Sequence, residues 1–212
     1  MLPVAAAVVA GYLGGALPFG LWLGRLCAGV DVREHGSRNL GATNVYRVLG
    51  PRLGIATLLL DVLKGALPTW LLPGLPPFTG FPGGSEACAV TVGVGAVAGH
   101  VWSCFAGFRG GRGVATTAGV LLALAPAAFG AFLAVFVLTV AVTRYVSLGS
   151  VLGSLAFVAA LALGSGGRFA RPVFVMGVAL AALVIVRHRD NLGRLARGEE
   201  RRFSFRRSSG SP

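Results

Sequence analysis

Long apolar runs alternate with short polar islands along this chain. The runs cover residues 4–28, 53–72, 87–105, 114–143, 148–163 and 172–186. A helix needs about 20 apolar residues to cross a hydrocarbon core roughly 30 Å thick, and five of these runs suit one crossing each. Pro18 and several glycines are expected to kink the first. The run 114–143 is too long for one crossing, because its residues would cover about 45 Å at about 1.5 Å each. Pro126 sits in its middle. The pattern therefore predicts two short helices in a hairpin there, and seven transmembrane helices in all. The fold class is an all-α integral membrane protein, N-terminus outside and C-terminus cytoplasmic.

Composition sharpens this picture. The chain has 212 residues, 55% hydrophobic and 12% charged. Polar residues are too few to cover a water-facing globule, which excludes the soluble classes. The net charge is +12, and Lys64 is the only lysine. With seven spans all three islands and the arginine-rich end share one side, and that side is expected to be cytoplasmic. Arg168 and Arg171 are the exceptions. The charge is assigned to the membrane surface, and no nucleic-acid partner is expected. The first run lacks a basic n-region, so it reads as a helix, not a signal peptide. Cys27, Cys88 and Cys104 show no disulfide or metal spacing. Residues 1–199 form the membrane domain, and 200–212 are expected to be a disordered basic tail.

The islands carry the candidate chemistry. In the second, Gly110, Gly111 and Gly113 leave backbone N–H groups unshielded just before a helix starts at Val114. Unpaired N–H groups and the helix dipole favour an anion there. Arg109 and Arg112 add fork-shaped donors, and Thr116 a hydroxyl. A flexible basic loop is the alternative. The first island places Ser37, Asn39, Thr43 and Asn44 between Arg38 and Arg47. Such residues either cap turns and helices or bind a polyol phosphate through groups that both donate and accept. In the third, His188 is the candidate general base or phosphate-positioning residue, with Asn191 one turn further on. Asp61 and Lys64 at i, i+3 within a span read as a structural ion pair, and His100 as a packing histidine.

Three long motifs in order, GSRNLGATNVYR at 36–47, GHVWSCFAGFRGGRGVATT at 99–117 and RHRDNLGRLARGEE at 187–200, resemble the PlsY family of bacterial membrane glycerol-3-phosphate acyltransferases. The resemblance covers nearly the whole chain. It implies acyl transfer from acyl phosphate to glycerol 3-phosphate, giving lysophosphatidic acid, in a cytoplasm-facing site of the bacterial inner membrane. By position it brings in Ser37, Asn39, Thr43, Asn44, Arg47, Arg109, Arg112, His188 and Asn191. It also suggests a further polar segment, Arg144, Ser147 and Ser150. Ser37, Arg47, Arg112, His188 and Asn191 are the catalytic candidates. Family members commonly carry lysine where this chain has Arg109 and Arg112, which keeps charge and alters geometry. No cofactor or metal is implied. Membrane lipids and an upstream acyl-phosphate-forming enzyme are the expected partners.

An acyl phosphate is already activated, so positioning and charge stabilisation suffice. Direct attack by the glycerol hydroxyl is expected, with His188 or a substrate phosphate oxygen as base. The rival reading, a transporter of phosphorylated metabolites, predicts midplane charges and matching halves. Neither is visible. A CDP-alcohol phosphotransferase would need an aspartate-rich metal motif, which the chain lacks.

Overall fold

The computed structural model describes residues 2–164 and 171–203 and is helical throughout its regular parts. The first run forms α1 (Leu2–Ala16) and α2 (Phe19–Ala28), broken at Leu17 and Pro18. Proline breaks the helical ladder, which restarts at the Pro18 carbonyl and leaves those of Ala16 and Leu17 outside it. The Ala16 carbonyl accepts from Ser103 Oγ and the Leu17 carbonyl from Lys64 Nζ, the latter at 2.7 Å. The break is therefore built into the bundle.

A short helix α3 (Ala42–Leu49) follows the first island, and Pro51 at the first helical position starts α4 (Pro51–Leu71). Then come α5 (Gly84–Val101), α6 (Val114–Leu124), α7 (Pro126–Thr143) and α8 (Val146–Gly164). The chain ends in α9 (Pro172–Arg187) and α10 (Arg189–Ala196), bent by 54° at His188. Small residues let the helices close up, as in membrane bundles generally. Gly11 and Gly15 of α1 lie against the backbone of Val92 and Ala96 on α5, and Gly65 of α4 against Thr116 of α6. Phe132 and Phe157 meet Val97, Val101, Val120 and Leu180 in the main core.

Helices stand at all seven expected places, as α1–α2, α4, α5, α6, α7, α8 and α9, though not all are of spanning length. Among the described residues, five helical segments are long and apolar enough to cross a membrane, or six if α9 and α10 count as one bent span. The break before Pro126 falls where expected, but α6 has 11 residues and covers only about 16 Å. It is a part-span, whereas α7 is full length at 18 residues. The two still run out and back. The start of α6 lies with the three islands, and its end shares a cavity with Trp70, Glu86, Gly164 and Arg171 at the other end of the bundle. The connection between α8 and α9, which carries Arg168, falls mostly outside the described residues, as does the chain from 204 onward. Asp61 and Lys64 do pair, at 2.7 Å, with both side chains buried.

Candidate active site

The three islands meet in one cavity of about 300 Å³. From the first it takes Ser37, Asn39, Thr43, Asn44 and Arg47. Arg112 and Gly113 come from the second, with Val114 and Ala115 of the opening turn of α6. Ser147 and Ser150 come from α8, and His188 and Asn191 from the α9–α10 joint. One flank is apolar. Leu58 and Val62 of α4, Ala118 of α6, and Phe129, Leu133 and Phe136 of α7 form it. The cavity thus has a cationic, hydroxyl-rich end and a hydrocarbon-like end.

Several candidate residues of the cavity also tie its own backbone together. Asn44 Oδ1 accepts from the Ser37 N–H at 2.7 Å, and its amide donates to the carbonyls of Val32 and His35. Asn39 Oδ1 accepts from the Gly41 N–H at 2.8 Å. Both side chains staple the loop that presents Ser37, Thr43 and Arg47. Ser150 Oγ donates to the Val146 carbonyl of its own helix.

The glycine loop also differs from expectation. The N–H groups of Gly110 and Gly111 donate to the carbonyls of Val101 and His100, each at 3.1 Å. Neither glycine lines the cavity, and each lies so close to the end of α5 that a side chain would collide with His100. Packing explains them. The first turn of α6 faces the cavity directly behind Gly113, which lies in the left-handed region at φ 86°. Arg109 is exposed and outside the cavity, and Thr116 is buried in the α4–α6 contact. Arg144 is likewise exposed and offers its carbonyl to the Phe203 N–H at 2.7 Å.

His188 lies just past Arg187, the last residue of α9, and is 3% exposed. Its Nδ1 donates to the Val184 carbonyl at 2.8 Å. A carbonyl only accepts, so the neutral ring carries its lone pair on Nε2. Burial pushes the imidazole pKa down to about 4, and the charges of Arg112 and Arg187 add to this. Asn191 Oδ1 is a buried acceptor with no hydrogen-bond partner among the described residues.

Glu200 was expected in the tail and instead enters the cavity. Its Oε1 accepts from Ser147 Oγ at 2.8 Å and Asn191 Nδ2 at 2.5 Å, and its Oε2 from Arg194 Nε at 2.9 Å. Burial raises its pKa, but those hydrogen bonds outweigh it and hold the carboxyl below its usual value. Phe203 packs on Tyr46 with ring centroids 4.9 Å apart, which seats the segment after α10 against α3.

The model of the family described as Glycerol-3-phosphate acyltransferase matches residues 5–198. The chain belongs to that family. A glycerol-3-phosphate acyltransferase of Anaeromyxobacter sp. (strain Fw109-5) is 46% identical over 200 residues, covering 92% of this chain and 94% of the relative. The enzyme of that name from Geobacter sulfurreducens is 45% identical, covering 91% and 93%. The crystal structure of PlsY (YgiH), an integral membrane glycerol 3-phosphate acyltransferase, superposes in its glycerol 3-phosphate form with a TM-score of 0.84. It is 34% identical, with 95% of this chain and 96% of that one covered. Its lysophosphatidic acid form gives 0.82. The protein is accordingly a PlsY-type membrane acyltransferase, and the transporter reading is set aside.

Family membership leaves the site residues to be read from the geometry. Glu200 was the most consequential omission. Its signal was the pair Glu199-Glu200 closing the third motif in a chain with 7 acidic residues against 19 basic ones.

Proposed function

We propose that the protein transfers an acyl group from an acyl phosphate to the hydroxyl of glycerol 3-phosphate. The hydroxyl oxygen attacks the acyl carbon, the bond from that carbon to the phosphate oxygen breaks, and the hydroxyl proton leaves with the released phosphate. The products are 1-acylglycerol 3-phosphate, which is lysophosphatidic acid, and inorganic phosphate. The observation that carries the reading is the joining of a cationic end and an apolar flank in one cavity.

Each half suits one part of the substrate pair. Arg47, Arg112 and the start of α6 suit phosphate oxygens. His188 Nε2 and Asn191 Oδ1 are acceptors for a substrate hydroxyl. His188 is a weak base with its pKa near 4, so it orients the hydroxyl, and a phosphate oxygen takes the proton. The apolar flank suits the acyl chain. Leu58 and Leu133 line it while 44% and 45% exposed, so the chain enters sideways from the bilayer. The site faces the cytoplasm, where the acyl phosphate is handed over by the enzyme that forms it. This placement is supported by the arginines gathered at that end.

The test is a donor competition. Purified protein receives acyl phosphate, acyl-CoA or acyl carrier protein with glycerol 3-phosphate. Lysophosphatidic acid is expected from acyl phosphate alone, and equal rates from a thioester donor would refute the donor assignment.

A further inference from the structure

A cluster of ionisable side chains at the cavity wall is unused by the reaction proposed above. Asp61 and Lys64 on α4 pair at 2.7 Å, and His100 Nδ1 at the end of α5 stands 3.7 Å from the same Asp61 oxygen. All three side chains are buried, and Asp61 and His100 touch the cavity. Ionisable groups at membrane depth are costly, so their presence asks for a role. Lys64 is partly explained by the Leu17 carbonyl at the α1–α2 break. His100 is not.

Its surroundings show where it acts. The imidazole lies against Gly111, so close that a side chain there would strike Nε2, Cε1 and Cδ2. The Gly111 N–H donates to the His100 carbonyl at 3.1 Å, and the Gly111 carbonyl accepts from Arg187 Nη2 at 3.0 Å. Gly111 is thus held at its donor, its acceptor and its α-carbon face. The next residue is Arg112, which reaches the cavity. A guanidinium binds phosphate well only when its planar fork is aimed, so a fixed backbone just before it favours binding.

We propose that Asp61, Lys64 and His100 form a positioning network that fixes Gly111 and so aims Arg112 at substrate phosphate. Lys64 pairs with Asp61, the carboxylate faces the ring at 3.7 Å, and the ring packs against the loop. The proposal rests on the acyl transfer proposed above.

A double-mutant cycle tests it. His100→Ala, Arg112→Ala and the double variant are purified, and kcat, KM for each substrate and Tm are measured. His100→Ala is expected to raise by about 10-fold the same KM that Arg112→Ala raises. In the Arg112→Ala background it should change that KM less than about 2-fold. Gly111→Ala should impair the wild type more than the His100→Ala protein, where the ring is gone. If His100→Ala does not fold, His100→Gln replaces it in the cycle. Effects that simply multiply, or an unchanged KM with only a lowered Tm, would overturn the network. Wild-type protein that shows no transfer would remove the proposed function and this inference together. Transfer with multiplying effects would remove the inference alone.

Discussion

His188 is tied through Nδ1 to the carbonyl of Val184, one turn back on α9, at 2.8 Å. That bond fixes the tautomer and turns the ring into an acceptor at Nε2. With its pKa near 4, the ring stays neutral through the physiological range. It charges only as pH falls toward 4, well below the ordinary histidine value of about 6.5. The rate should therefore show no histidine limb between about pH 6 and 7. His188→Gln, whose amide oxygen can accept the same hydrogen bond, should keep kcat within about tenfold, whereas His188→Ala should lose roughly 100-fold. A wild-type rate that climbs through pH 6.5, with an inactive glutamine variant, would restore the general-base role.

Glu200 is an acceptor shared by Ser147, Asn191 and Arg194. Glu200→Ala leaves the buried Asn191 amide without its acceptor, at a cost of about 1–3 kcal/mol. Activity should fall more than about 10-fold with a lowered Tm. Because its folded pKa is depressed, its contribution is present above the unfolded pKa of about 4.5 and is lost as pH falls below it. Equal acid sensitivity of wild type and Glu200→Gln would remove Glu200 from this account.

Gly110 sets a packing test. A methyl group there meets the His100 carbonyl, so Gly110→Ala should destabilise by about 1–3 kcal/mol, read as a lower Tm in detergent. An undisturbed Tm with a raised KM would return the glycine to the phosphate cradle.

The apolar flank makes a prediction about chain length. Leu133→Trp narrows it from α7. Its kcat/KM for a long-chain acyl phosphate should fall about 10-fold more than for a short-chain one, since each methylene in an apolar pocket is worth about 1–3 kcal/mol. Equal losses would place the chain elsewhere.

Topology is open to labelling. Arg38, Arg109 and Arg189 are exposed, one from each island. Single cysteines at these positions, in a variant lacking Cys27, Cys88 and Cys104, should react only from the cytoplasmic side. Reaction of position 189 from outside would reverse the orientation.

Much of this was legible because proline and run length speak directly about helices. Pro18 and Pro126 marked real breaks, and each island stood at the end of a run. The convergence of Ser37, Arg47, Arg112, Ser147, His188 and Asn191 followed from that arrangement. Glycine was the ambiguous letter. Gly110 and Gly111 look alike whether a ligand or a neighbouring backbone needs the space, and only their hydrogen bonds to α5 decide. Asn39 and Asn44 were ambiguous in the same way, because an amide serves a loop as readily as a substrate. Glu200 was hidden by its neighbours, since an arginine- and serine-rich stretch reads as tail until Phe203 is seen on Tyr46. The shortness of α6 was legible, because Pro126 cuts the run that opens at Val114, but the full length of α7 was not.

The sideways opening between α4 and α7 has a practical consequence. Leu59, at 57% exposure, belongs at once to the cavity wall and to the protein's lipid-facing skin. Whatever amphiphile surrounds the purified protein is therefore a reagent as well as a solvent. With lysophosphatidic acid as the proposed product, a micelle-forming surfactant with one alkyl tail shares its outline and is expected to compete for the apolar flank at a concentration set by the buffer. Turnover constants measured in micelles and in bilayer discs will then differ by an amount that tracks surfactant tail length, even when the protein is equally folded in both.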